Sequence, residues 1–186
     1  MKKIAGKICS VILAVVMSCT MMGLSTKAAY VDVTAVKQQK TNWCWAACAQ
    51  MSAMIACPAY YHNQSQIVTY IFGSTYNYAA NIYQAAMGAS YGSCYYRTFS
   101  STSSPLSFSQ INAKLTAGYP VQAGMVHYSG STPDGGHMLE IYQTYSIFSI
   151  NYVLLVDPYD GSRGTLSYNY LLNTGPSGYK YEETVY

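Results

Sequence analysis

Residues Gln38 to Met54 read QQKTNWCWAACAQMSAM, and this stretch decides how the rest of the chain is read. After Asn42 the apolar residues Trp43, Cys44, Ala46, Ala47, Met51 and Met54 recur every three to four positions, with alanine throughout and no internal Gly or Pro, which predicts an amphipathic helix. Cys44 then falls in the first turn. The unpaired amides and the positive end of the helix dipole favour a thiolate there, one physical requirement for a cysteine nucleophile. Gln38 lies six residues upstream in a polar segment able to fold back over the helix start, where its side-chain amide could donate to an oxyanion forming beside Cys44. Gln39 competes for that role, one residue away.

A glutamine, five residues, then Cys-Trp-Ala-Ala at a helix start resembles the nucleophile region of the papain-like cysteine peptidases. The likeness is greatest to the compact bacterial branches. Those are the type III effector cysteine proteases, with Asn-Trp-Cys-Trp-Ala-Ala, and the double-glycine-leader peptidases, with a second cysteine one turn on, as Cys48 is here. The resemblance extends to Gly136-His137 at a strand opening and Val156-Asp157-Pro158 at the close of the next, and so covers roughly residues 36 to 172. It implies a papain-like fold and a Cys44, His137, Asp157 triad with Gln38 as oxyanion donor, favoured over Gln39 by the six-residue spacing.

The amino terminus, MKKIAGKICSVILAVVMSCTMMGLSTKA, has a basic start, an apolar run from Ile8 to Leu24 and a small-residue exit. It reads as a secretory signal peptide over 1–28 cut before Ala29, leaving one domain over 29–186. A lipoprotein leader ending at Cys19 is the minor alternative. Lys2, Lys3, Lys7 and Lys27 leave with the leader, so the whole-chain net of +3 becomes −1. Neither nucleic acid nor an anionic membrane surface is implied as a partner, and no membrane span follows the leader. The 21 tyrosines and few charges suit an exported protein, whether the rings line a groove for peptide or sugar or fill strands. The cut would leave about ten residues before Gln38, too few for a long inhibitory pro-segment, so control would pass to secretion, redox state or a separate protein inhibitor.

Four cysteines stay with the mature chain: Cys44, Cys48, Cys57 and Cys94. With Cys44 free as nucleophile and Cys48 facing the core, a Cys57–Cys94 bridge is the pairing to expect in an oxidising compartment, the alternative being four free thiols. Metal binding is a poor reading, because no His or second Cys pair stands at finger-like spacing. No organic cofactor is implied either.

Along the chain the nucleophile helix should stop before Cys57-Pro58. Helices are expected over Ser65–Gly73, over Tyr76–Met87 with Gly88 as the stop, and over Ser109–Gly118 with Ser109 as N-cap. Cys94–Phe99 reads as a short strand before a serine-rich linker, Ser100–Ser104. Strands follow over Pro120–Tyr128, His137–Ile147, Tyr152–Val156 and Thr165–Leu172. Helices first and strands second argue an α+β chain, with an N-terminal helical lobe carrying the nucleophile packed on a C-terminal antiparallel sheet or half-barrel. Its active site would lie in the cleft between them.

His137 is the candidate base, placed by the Pro133-Asp-Gly-Gly turn at the start of a strand, and Asp157 would hold its other ring nitrogen. His127 and His62 are rivals without a carboxylate at a following strand end. The expected activity is hydrolysis of peptide bonds in a peptide or protein substrate. A transglutaminase-like acyl transferase or amidase, and a non-catalytic Tyr-lined binding module on the same fold, stand as alternatives.

Overall fold

A computed structural model describes residues 28–186. The leader expected over 1–28, all but Ala28, and the Cys19 alternative lie outside the described residues. The elements run β1 (Ala29–Tyr30), α1 (Cys44–Ala56), α2 (Gln64–Phe72), α3 (Ile82–Gly92), β2 (Ser101–Thr102), α4 (Phe108–Thr116), β3 (Val121–Ser129), β4 (Thr132–Ile147), β5 (Ile150–Asp157), β6 (Ser162–Ser167), α5 (Tyr168–Asn173) and β7 (Lys180–Val185). The fold is α+β, with helices packed on one sheet whose strands run β2-β7-β3-β4-β5-β6, every pairing antiparallel, and β1 added to β4. Among the described residues no helix is long and apolar enough to cross a membrane.

Three helices start on the same device. Asn63 with Gln66, Asn81 with Gln84 and Ser107 with Gln110 each form a reciprocal capping box, so α2, α3 and α4 satisfy two of their orphan amides locally. The starts therefore differ from those expected. The α2 cap is Asn63, the α4 cap is Ser107 and not Ser109, and α3 begins at Ile82 because Asn81 claims the Gln84 amide, leaving Tyr76–Ala80 outside the helix.

Helix α1 is buried on nearly every side, from Trp45 through Ala49 and again at Met51, Ser52 and Ala53. It is a central helix and not the amphipathic one its spacing suggests, which its run of alanines permits by letting neighbours approach closely. Gly88 does not stop α3. A Cβ there would lie 2.9 Å from the Trp45 ring and 3.0 Å from Ile67, so glycine is required where α3 crosses α1.

Four further expectations are corrected. Cys94–Phe99 is a turn, with Cys94 and Tyr95 at positive φ, and the serine-rich stretch contributes β2 to the sheet by pairing with β7. β4 begins at Thr132, so Pro133-Asp-Gly-Gly is strand and His137 sits inside β4. The Thr165–Leu172 run divides at Ser167, whose hydroxyl caps α5 by accepting from the Tyr170 amide. Of the two readings of the cysteines, the structure has the one with four free thiols among the described residues, Cys57 and Cys94 lying near each other without a bridge.

Candidate active site

The start of α1 is held from outside. Trp43 occupies the N-cap position with no side-chain cap, and no acidic residue stands in the first turn. The first turn's amides are therefore left without a local acceptor. The chain over 75–78 clamps this end instead. Trp43 Nε1 donates to the Tyr76 carbonyl (2.8 Å), Trp45 Nε1 to the Tyr78 carbonyl (3.2 Å), the Asn42 amide nitrogens to Asn77, and Lys40 to the Thr75 carbonyl (2.6 Å). Both tryptophans are buried anchors of this clamp, and Trp45 also lines the pocket beside Cys44.

His137 and Asp157 come together through strand register. The β4–β5 ladder ends with Glu140 opposite Val156; one residue beyond that pair on the two strands stand Leu139 and Asp157, and His137 lies two residues past Leu139 on the face that Leu139 shares. The His137 Nε2 to Asp157 Oδ1 distance is 2.7 Å, and the Tyr159 amide donates to the same oxygen at 2.8 Å. Cys44 lies beside the His137 ring, lining the same pocket and close enough to act on its charge; with Nε2 committed to Asp157, Nδ1 is the nitrogen left to face it. Burial alone would lower the His137 pKa, but the bond to Asp157 and the neighbouring Cys44 outweigh it and raise it to about 9. Burial would raise Asp157; the bonds from His137 and the Tyr159 amide outweigh that too and hold its carboxyl below the ordinary value. The arrangement can keep a histidine protonated beside a half-buried thiol, which suits nucleophilic attack followed by proton donation.

Gln38 sits on the same rim, its backbone amide donating to the Pro158 carbonyl (2.6 Å) just past Asp157. Its side-chain nitrogen donates to the carbonyls of Lys40 (2.9 Å) and Thr41 (2.8 Å), while Oε1 is buried without a protein partner. Gln39 turns the other way, its side chain meeting Ser65 on α2. Gln64, fully buried, ties this segment down by accepting from the Gln39 amide and donating to the Lys37 carbonyl.

The rival histidines are engaged elsewhere. His127 pairs with Asp134 across the β3–β4 hairpin, so it does have a carboxylate, and its ring lies against Tyr179. His62 stacks on Tyr91 at 4.2 Å, with Nδ1 at the Tyr91 carbonyl and Cys94 nearby.

Beneath Cys44, two further residues of α1 face a buried acid. Ser52 donates to Glu140 Oε1 (2.7 Å) and accepts from Gln122 Nε2 (3.0 Å), and the Cys48 thiol, which donates to the Met138 carbonyl (3.6 Å), lies near the same carboxyl. Burial drives Glu140 up to about 8 against the pull of Ser52 and Cys48, and burial first, then Glu140, pushes the Cys48 thiol well above its ordinary value. Glu140 is a functional-looking residue that sequence reasoning passed over. Its only signal is a lone acid in the apolar run Met138 to Tyr142.

Two small pockets meet at His137. One, of about 120 Å³, holds Cys44, Gly124, Gly136 and Glu183; the other, of about 110 Å³, holds Leu139, Asp157 and Tyr179. A larger cavity of about 540 Å³ lies between Tyr70, Tyr83, Tyr95 and Phe99, with neither Cys44 nor His137 in its wall. Among the described residues, no three His, Cys, Asp or Glu side chains converge to hold a metal ion. In comparison with known proteins, the family model described as "Peptidase_C39 like family" matches residues 30–185. No curated protein matches the chain.

Proposed function

The chain belongs to the Peptidase_C39 like family, and on that ground we propose that it is an exported cysteine peptidase working through Cys44, His137 and Asp157. The observation that carries the reading is the His137 ring, bound to Asp157 through Nε2 and sharing a pocket with Cys44, which stands at a helix start without a cap. The Cys44 thiolate attacks the peptide carbonyl, forming a C–S bond and a tetrahedral oxyanion. As that collapses, the C–N bond breaks and the His137 imidazolium gives its proton to the leaving amine. Neutral His137 then takes a proton from water, whose oxygen attacks the thioester and releases the acid and Cys44. Asp157 keeps the ring oriented and stabilises its cation.

The backbone amide of Cys44 is one donor to the oxyanion, and Gln38 is proposed as the second. Gln38 would serve by releasing the Lys40 or Thr41 carbonyl as the oxyanion forms. The leader-like start of the sequence supports action outside the cytoplasm.

The test is site occupancy. Residues 29–186 of wild type, Cys44→Ala and Cys48→Ala, kept reduced, are treated at neutral pH with iodoacetamide or the broad cysteine-peptidase inhibitor E-64 and read by mass spectrometry. Label is expected on Cys44 far ahead of the other thiols. Equal labelling of Cys44, Cys57 and Cys94 would overturn the nucleophile assignment.

A further inference from the structure

The pocket that holds Cys44 has one acidic side chain in its wall, Glu183 on β7. Two features of the backbone put it there. Gly124 on β3 pairs with Glu183 and Met125 with Tyr181, so Glu182 is an extra residue and the strand bulges, which breaks the alternation of β7 and re-aims its side chains. Opposite, a Cβ on residue 124 would fall 2.8 Å from the Glu183 Cβ, so only glycine leaves this acid its place.

The two adjacent glutamates are not equivalent. Glu182 accepts from the Tyr128 hydroxyl at 2.6 Å, and the Lys180 ammonium lies 5.6 Å from the Tyr128 ring. The ion pairs among the described residues are His127 with Asp134 and His137 with Asp157, so Glu183 has no cationic partner there. His137 shares the pocket, but its Nε2 is already paired with Asp157. Glu183 and Val126 also line the adjoining groove of about 520 Å³, bounded by Ser103, Ser104 and Pro105, and no Lys or Arg lines either space.

We infer that Glu183 is a specificity-determining residue that receives a lysine or arginine side chain of the peptide lying across Cys44. This rests on the peptidase reading above. The half-buried carboxylate lines both the Cys44 pocket and the outer groove, and an incoming ammonium or guanidinium supplies the missing countercharge. Burial and then the charge of Glu182 raise the Glu183 pKa, a strain that a bound cation relieves.

The experiment uses residues 29–186 as wild type, Glu183→Gln and Glu183→Asp, with Cys44 occupancy followed by mass spectrometry. One probe pair is aminoethyl and sulfonatoethyl methanethiosulfonate, small cationic and anionic thiol reagents. The other is a pair of peptidyl vinyl sulfones differing only in lysine against norleucine. The cation-to-anion rate ratio and the lysine preference should both fall about fivefold in Glu183→Gln, the effect of one partly screened charge, and return in Glu183→Asp. Equal rates for the two vinyl sulfones, or preferences that survive Glu183→Gln, overturn the assignment and leave the peptidase reading standing. If neither vinyl sulfone labels a Cys44 that the small reagents still reach, the peptidase reading falls and takes Glu183's part in substrate selection with it.

Discussion

Replacing Glu140 by glutamine should remove a pH dependence of stability that the wild-type protein carries across neutrality. In the unfolded chain this carboxyl ionises near 4.5; folded, it does so near 8, because burial outweighs the Ser52 hydrogen bond and the pull of the neighbouring Cys48, and Oε2 has no protein partner. Between those values the native state holds a proton that the unfolded chain has lost, so stability falls as pH rises. The separation converts to a loss of up to about 5 kcal/mol between the acid plateau and pH 8. His137 tilts the curve the same way: raised from 6.5 to about 9, it contributes stability fully present below 6.5 and lost as pH rises through 9. That contribution is common to both proteins and cancels in their difference. Urea unfolding of wild type and Glu140→Gln at four pH values from 5 to 8 should show the variant gaining on wild type by about 1 kcal/mol per pH unit. A difference that stays constant over that range would refute a neutral buried Glu140.

Two further outcomes follow from the same geometry. In a pH titration by NMR, the His137 ring should titrate near 9 and move toward its ordinary 6.5 in both Cys44→Ala and Asp157→Asn, since each removes a group that raises it; a wild-type midpoint near 6.5 would deny the three-residue contact. Gly88→Ala should lower stability by about 1–2 kcal/mol in thermal melts, because overpacking against Trp45 and Ile67 exceeds the roughly 1 kcal/mol gained in helix propensity; a higher melting temperature would count against it.

The sequence carries the Cys44 helix, the helices-then-strands order and the strands that hold His137 and Asp157 because each rests on local pattern. Proline after Cys57 ends α1, and the Val153–Val156 run ending in Asp-Pro marks β5. What escaped depends on partners far along the chain. Tyr76–Ala80 has the composition of a first helical turn, yet its carbonyls serve Trp43 and Trp45, more than thirty residues earlier. Gly88 looks like a stop signal until Trp45 is placed against it. The two-residue β1 and β2 are too short to show a period, and each exists only through its partner, β4 or β7.

The candidate site adds a second reason, which is parity. Alternation assigns side chains to faces only while the register is unbroken, and register shifts fall at Gly124/Met125, at His127/Tyr128 and between Ile141 and Gln143. His137 and Leu139 lie between the last two, so the alternation drawn from Leu139 and Ile141 carries to His137, and Asp157 meets it where a plain antiparallel register predicts. Glu183 lies across the first shift: from Tyr181, buried in the core, strict alternation would turn residue 183 inward as well, and only the extra residue at Glu182 lets it line the Cys44 pocket. The residues on regular strand and helix geometry were therefore within reach of the sequence. The acid in the pocket wall was not, because a bulge is a property of two strands together and neither strand's own pattern records it.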